Sequence, residues 1–144
     1  MKKLLFVISI LFFVVGCSSG KKTTTSRKSL QFEHTSFDEA LAKAKRENKP
    51  IFIDFYTTWC GPCKMMEQSV FTDSGIISLY NQNFVNLKID AEKGEGIELA
   101  QKFRVAGFPY LVYLDSDGNM VQKHLGYMSV QMMMQMGKKS MKKS

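Results

Sequence analysis

The sequence contains no apolar run long enough to cross a membrane and few of the cysteines and histidines that cross-link small proteins. A membrane-spanning helix needs about 20 apolar residues, whereas the longest such run, Leu4–Val15, has 12 residues and includes a serine. Glycine and proline are not in excess and no repeat is found, which excludes collagen-like and repeat architectures. A 144-residue chain with 44% apolar residues is expected to form one globular domain.

Acidic residues are absent from both ends of the chain, which changes the meaning of the formal charge of +7. All 13 acidic residues lie between Glu33 and Asp117, while basic residues cluster near both termini. The segment 30–137 holds ten basic and 13 acidic residues, a formal charge of −3. A basic nucleic-acid-binding domain is therefore disfavoured, and no nucleic-acid partner is expected.

The first 16 residues have the composition of a secretory signal peptide. Met1–Lys3 is positively charged, and Leu4–Val15 has the length of a signal-peptide hydrophobic region. The residues Val14–Cys17 resemble a bacterial lipobox, in which the chain is cut before the cysteine and the cysteine carries lipid, although valine replaces the usual leucine at position 14. An uncleaved anchor and a soluble secreted product are the alternatives.

The resemblance to bacterial lipoproteins implies three regions: a signal peptide over 1–16, a lipidated Cys17 and flexible tether over 17–29, and a folded domain over 30–144. Residues 18–29 include no apolar side chain, so they cannot build a core. The domain is then expected outside the cytoplasm and anchored to a membrane. Ser18 and Ser19 give no aspartate-type retention signal, which favours the outer membrane in a Gram-negative host.

Hydrophobic periodicity predicts strands and helices in the order β-α-β-α-α-β-α-β-β-α. A capping box at Ser36–Glu39 begins the first helix, which Pro50 ends. The predicted strands cover 30–33, 51–56, 84–90, 109–114 and 120–125, and the other helices cover 61–71, 74–82, 96–103 and 129–143. This order indicates an α/β fold with a mixed sheet covered by helices on both faces.

If Cys17 carries lipid, Cys60 and Cys63 are the one possible intramolecular pair. Their loop is too short to stabilise a fold by cross-linking, so redox chemistry is the favoured use of the pair. Zinc is the alternative, but a structural zinc site needs four ligands, and His34 and His124 lack ligand spacing. No metal is expected, and no cofactor beyond a redox-active disulfide.

The sequence W-C-G-P-C-K at Trp59–Lys64, between a predicted strand and a predicted helix, resembles the active-site motif of the thioredoxin family. The resemblance covers about residues 30–137. Lys49-Pro50 and Phe71–Asp73 are more similar to envelope thioredoxin-like domains, such as the C-terminal domain of the transmembrane disulfide-interchange reductase. The resemblance to this family implies a thioredoxin fold, with a central mixed β-sheet flanked by helices on both faces. The residues implied to shape the active site are Trp59, Gly61, Pro62, Lys64 and Pro109.

Cys60 lies at the predicted start of a helix, where free backbone N–H groups and the helix dipole stabilise a thiolate. Cys60 is therefore expected to attack substrate disulfides. Cys63, one turn further on, is expected to be more buried and to resolve the mixed disulfide. Trp59 is expected to pack beside the pair, with a place in the core as the alternative.

Asp54 interrupts an apolar strand, where a carboxylate is costly. It stands six residues before the first motif cysteine, and the resemblance implies that it takes or relays the proton of Cys63 through water. Burial is expected to raise its pKa towards neutrality. The lysine that often accompanies this aspartate is not where expected, because alignment on Asp90 places Asn86 there and Lys88 two residues on.

Gly107-Phe108-Pro109 precedes the predicted hairpin. The resemblance implies that Pro109 is cis and faces the dithiol, and that the backbone of Phe108 pairs with an extended substrate. Phe108 is bulkier than the usual threonine or valine, so it is expected to narrow substrate access or lower the redox potential.

Methionines are frequent near the C-terminus and suggest either copper(I) binding or helix packing. Helical spacing favours packing. The methionines concerned are Met128, Met132, Met133, Met134, Met136 and Met141.

Together these features predict a monomeric, membrane-anchored enzyme that reduces protein disulfides. Because no flavin or nicotinamide motif is present, its electrons are expected from a thiol-transfer partner in the membrane. An oxidase or isomerase using the same cysteines is one alternative, and a copper-handling module on the same fold is the other.

Overall fold

The computed structural model describes residues 29–142. The predicted signal peptide, the lipidation site Cys17 and the tether through residue 28 lie outside the described residues, so the boundaries at 16 and 29 stay predictions. Within 29–142, no helix is both long and apolar enough to cross a bilayer. The elements are α1 (Phe37–Glu47), β1 (Ile51–Tyr56), α2 (Gly61–Met65) with a π-helical turn (Met66–Val70), α3 (Ser74–Asn83), β2 (Val85–Asp90), α4 (Gly96–Lys102), β3 (Tyr110–Leu114), β4 (Met120–Leu125) and α5 (Val130–Met141).

The four strands form one mixed sheet in the order β2-β1-β3-β4. β1 runs parallel to β2 and antiparallel to β3, and β3 pairs with β4 as a hairpin. The predicted mixed sheet is thus confirmed. Near the end of the hairpin, Leu114 pairs with Met120 while Tyr113 pairs with Gln122, so Val121 is an extra residue that bulges out of β4.

The prediction of an edge strand over 30–33 is wrong. Only Glu33 bridges to Leu87 on β2. The backbone N–H of Leu30 instead donates to the carbonyl of Phe71 at 2.7 Å, and that of Gln31 to the side chain of Asn81. Because these donors are directed away from β2, the segment cannot continue a ladder along the sheet edge.

The helices cover both faces of the sheet, as predicted. α1 and α4 pack on one face over Ile53 and Phe55, and the π-helical turn after α2 packs on the other over Phe52, together with α3 and α5. β1 is therefore buried on both sides, which explains its nearly continuous apolar sequence. This central strand leads directly into the loop that carries the two cysteines.

The predicted helix over 61–71 forms with a change of pitch. It begins as α2 and continues as the π-helical turn, closed by a 2.8 Å bond from the N–H of Phe71 to the carbonyl of Met66. At the other end of the chain, Met128 and Met133 are fully buried in the core beneath α5, and Met132 is exposed. Met134, Met136 and Met141 pack against the same core, so all of these methionines except Met132 serve packing, which is the interpretation that helical spacing favours.

Candidate active site

Cys60 and Cys63 form a disulfide that closes the first turn of α2. Cys60 is the N-cap residue, and its Sγ accepts the backbone N–H of Cys63 at 3.2 Å. This donor, with the positive end of the helix, favours negative charge on the Cys60 sulfur once the bond is opened. Pro62 occupies an early helical position, where a missing N–H costs nothing.

The expectation that Cys63 is more buried than Cys60 is wrong for the disulfide form. Each residue is 2% exposed. The disulfide bond and the hydrogen bond from the Cys63 N–H both hold the Cys60 sulfur against the helix, so the two cysteines are equally buried. Around them, Gly61 and Lys64 are exposed, and a Cβ on Gly61 would meet no atom within 4 Å among the described residues.

Asp54 lies near the middle of β1, on the same face of the sheet as Phe52, and is 1% exposed. Its Oδ1 has no hydrogen-bond partner in residues 29–142. Burial raises the pKa of Asp54 to about 7; the charge of Lys88 opposes this rise in pKa and that of Glu67 adds to it. A carboxyl with this pKa can hold or release a proton near neutrality, as expected of an acid–base group beside a dithiol.

The lysine that seemed to be missing beside Asp54 is Lys88. In the parallel ladder of β1 and β2, Asp54 pairs directly with Lys88, and Asn86 pairs with Phe52. Alignment on Asp90 placed Asn86 at the position of this lysine because spacing along the chain does not specify the register between β1 and β2. The Lys88 ammonium also forms an ion pair with Glu67 and lies 4.6 Å from the ring centroid of Tyr56.

Glu67 is a residue of this site that the sequence analysis missed. It follows Cys63 by four residues on the same helical segment, so it faces the same side of the helix. That spacing was the available signal. Because its carboxylate holds Lys88, Glu67 sets how much positive charge acts on Asp54.

We expect opposite effects on the Asp54 pKa from two substitutions in this ion pair. Lys88→Met removes the cation that lowers the pKa and should raise the pKa above about 7. Glu67→Gln removes a negative charge and should lower it. Carbon-13 NMR titration of the Asp54 carboxyl would measure both, with Lys123→Met, an exposed lysine on β4, as the control. Shifts of the same sign in both variants would contradict this electrostatic description.

Trp59 lies at the surface beside the disulfide, and it is 66% exposed, so the alternative of a core aromatic is excluded. Its indole N–H donates to both carboxylate oxygens of Glu92 at 3.1 Å, and its ring packs edge-on against Phe108 at 5.9 Å. Glu92 lies in the loop after β2, and no sequence signal marked it. These two contacts fix the position of the indole next to the cysteines.

The Phe108–Pro109 peptide bond is cis, as the resemblance implied. The carbonyl of Pro109 accepts the N–H of Gly126 at 2.8 Å, which joins this turn to the loop after β4. Leu125 at the end of β4 and Tyr127 in that loop are exposed apolar side chains, like Trp59. Phe108 joins this apolar surface to Trp59, the residue before Cys60, so an extended peptide bound along it would lie close to the disulfide in the chain.

Among residues 29–142, no cluster of three or more histidines, cysteines or carboxylates could hold a metal ion. His124 lies 3.4 Å from the carbonyl of Tyr127, and the two motif cysteines are bonded to each other. The described groups of this site that can exchange electrons or protons are the Cys60–Cys63 sulfur pair and the buried carboxyl of Asp54.

Comparison with known proteins gives one consistent family. The family model described as a thioredoxin-like domain matches residues 37–140. A proposed disulphide isomerase from Bacteroides thetaiotaomicron is 40% identical, with a TM-score of 0.71, and the match covers 81% of this chain and 96% of that one. A thioredoxin from Thermus thermophilus is 26% identical, with a TM-score of 0.68, over 78% of this chain and 87% of that one.

A curated relative is the thiol:disulfide interchange protein DsbD of Vibrio vulnificus, which is 38% identical over 85 residues. Those residues are 58% of this chain and 14% of the relative, so the chain spans about a seventh of that protein's length.

Proposed function

Because this chain belongs to the thioredoxin-like family, we propose that it is a thiol:disulfide oxidoreductase that reduces protein disulfides through Cys60 and Cys63. The observation that carries the proposal is the buried disulfide at the first turn of α2, whose Cys60 sulfur already accepts a backbone N–H. Such a sulfur is a good leaving group and a good nucleophile near neutral pH, which are the two properties that exchange requires.

In the proposed reaction, the Cys60 thiolate attacks one sulfur of a substrate disulfide, and the substrate bond breaks to release a thiolate. The Cys63 thiol loses its proton to Asp54 and attacks the Cys60 sulfur of the mixed disulfide. The second substrate thiolate then leaves, and the Cys60–Cys63 disulfide is formed. Two electrons pass to the substrate, and its two thiolates take up protons.

The other site residues have supporting roles in this proposal. Trp59, held by Glu92 and Phe108, forms one side of the apolar surface beside the sulfurs. The backbone of Phe108 and the ring of Pro109 hold an extended substrate segment against Cys60. Gly61, Pro62 and Lys64 complete the first turn of the helix and leave its outer side open.

We place the enzyme in the cell envelope, anchored as a monomer through lipid on Cys17, in the outer membrane if the host is Gram-negative. After each reaction the Cys60–Cys63 disulfide of a reductase must be reduced again, and outside the cytosol this needs a dedicated electron donor. A membrane protein that transfers thiol electrons is the donor that this chemistry requires, since the pair itself is the one redox group proposed for this chain.

The direction of the reaction can be tested by trapping the free thiols of the full-length protein in intact cells with an alkylating reagent. We expect most of the Cys60–Cys63 pair to be alkylated, because a reductase is kept in its dithiol form by its donor. A Cys60→Ser, Cys63→Ser double variant provides the unmodified reference. A pair found mostly as the disulfide would contradict reduction and support an oxidase.

Disulfide isomerisation is a second candidate, favoured by the description given to the relative from Bacteroides thetaiotaomicron. An isomerase would restore activity to a scrambled disulfide protein without a net supply of electrons. A reductase would need a stoichiometric thiol donor in the same assay.

A further inference from the structure

Thr57 is a buried polar residue to which the proposed reaction gives no role. It is 1% exposed, although it lies in the loop between β1 and α2. Its hydroxyl has no hydrogen-bond partner within residues 29–142. The next residue, Thr58, is exposed to solvent. A buried hydroxyl without a hydrogen-bond partner destabilises a folded protein, so its presence calls for an explanation.

The position of Thr57 suggests that explanation. Its carbonyl accepts the N–H of Cys60 at 3.2 Å, so a tight turn joins the two residues. Asp54, three residues earlier, also has a buried oxygen without a partner in the described chain. Two of the described buried polar atoms that lack a partner therefore lie in the short segment that leads into the disulfide.

Reduction of the Cys60–Cys63 disulfide changes the charge of the sulfur atoms next to this segment. A disulfide is uncharged and its sulfurs are weak acceptors. When a dithiol such as dithiothreitol reduces it, the S–S bond breaks, the reagent becomes a cyclic disulfide, and the protein gains two electrons. Of the two protons that the reagent gives up, one is taken by Cys63 and the other passes to solvent, so Cys60 is left as a thiolate. A buried thiolate needs hydrogen-bond donors that the disulfide did not need.

We propose that the Thr57 hydroxyl donates a hydrogen bond to a sulfur of the reduced pair and so stabilises the dithiol form relative to the disulfide. This inference rests on the proposed redox role of Cys60 and Cys63. Thr57 then tunes the reduction potential of the site, because its hydroxyl gains a partner on reduction and has none among residues 29–142 in the oxidised form.

Thr57→Val, which keeps the shape and removes the hydroxyl, tests the proposal, with Thr58→Val as the matched control. Each protein is equilibrated with mixtures of reduced and oxidised dithiothreitol, and the fraction of disulfide is measured. We expect Thr57→Val to shift the equilibrium about tenfold towards the disulfide, which lowers the reduction potential by about 30 mV for two electrons. Thr57→Ser, which keeps the hydroxyl, should restore most of the wild-type value, and Thr58→Val should leave it unchanged.

Urea unfolding of both redox forms separates tuning from a structural role. Under the proposal, Thr57→Val destabilises the reduced protein relative to the oxidised one. Equal destabilisation of both forms with an unchanged potential would overturn the proposal, because the hydroxyl would then serve the fold alone. If Thr57→Val does not fold, the comparison of Thr57→Ala with Thr57→Ser carries the same test. A wild-type pair that cannot exchange with dithiothreitol would overturn the proposed function itself.

Discussion

Replacing Cys63 with alanine is expected to trap substrate proteins as stable mixed disulfides on Cys60 and to abolish turnover. Cys60 can still attack, because its sulfur lies at the start of α2 where it accepts a backbone N–H. Without Cys63, no internal thiolate can release the bound substrate. Non-reducing electrophoresis of the full-length protein, followed by identification of the bound partners, would measure the trapped species.

The reciprocal variant, Cys60→Ala, is the matched control. It should trap few partners, because the remaining sulfur belongs to Cys63, the resolving residue. Trapping on Cys60→Ala as efficient as on Cys63→Ala would reverse the assignment of the two cysteines. The near-equal burial of the two residues in the disulfide form makes this control necessary. If neither variant trapped a partner, thiol exchange with proteins would be refuted.

Asp54→Asn is expected to raise the stability of the protein with a strong dependence on pH. Burial raises the pKa of Asp54 from 3.8 to about 7, so between these values the folded chain keeps a proton that the unfolded chain has lost. The stability of the wild-type protein therefore falls as the pH rises from about 4 to about 7. At about 1.4 kcal/mol per pKa unit, the difference in pKa between the two states corresponds to about 4 kcal/mol.

Urea unfolding of the disulfide form at several pH values would measure this effect. The free energy of unfolding of Asp54→Asn relative to wild type should increase by about 4 kcal/mol from pH 4 to pH 8, with most of the change below pH 7. Asp117→Asn is a suitable control, since Asp117 is exposed and makes one surface ion pair with Lys45, a type worth about 1 kcal/mol at most. A stability difference that does not vary with pH would show that folding leaves the pKa of Asp54 at its ordinary value.

The sequence predicted those parts of the fold and site that depend on neighbouring residues. The capping box at Ser36 predicts the observed start of α1, and the apolar run of β1 predicts both ends of the central strand. Pro50 marked the end of α1 less closely, because the helix already ends at Glu47. Asp54 stood out because a carboxyl group in an apolar strand violates a local rule. The motif at Trp59–Lys64 identified the dithiol because the strand, turn and helix that surround it are formed by residues adjacent in the sequence.

Features that depend on how distant segments meet were not predictable. The pairing of Lys88 with Asp54 follows from the register of two parallel strands, which spacing along the chain did not fix. Glu92 reaches Trp59 from a separate loop, and the short segment at Leu30 bonds to Phe71 instead of the sheet. Whether Thr57 has a hydrogen-bond partner depends on side-chain positions that a pattern of residue types does not contain.

The bulge at Val121 has a consequence for colloidal behaviour. β4 ends the sheet, and a regular, exposed terminal strand would offer its free backbone groups to a strand of another molecule. The extra residue breaks the even spacing of those groups, and the exposed Lys123 adds a charge that a neighbouring molecule would have to desolvate. Both features disfavour growth of the sheet from one molecule to the next. Even at high concentration, contact between these domains is therefore not expected to extend into fibrils through the β4 edge.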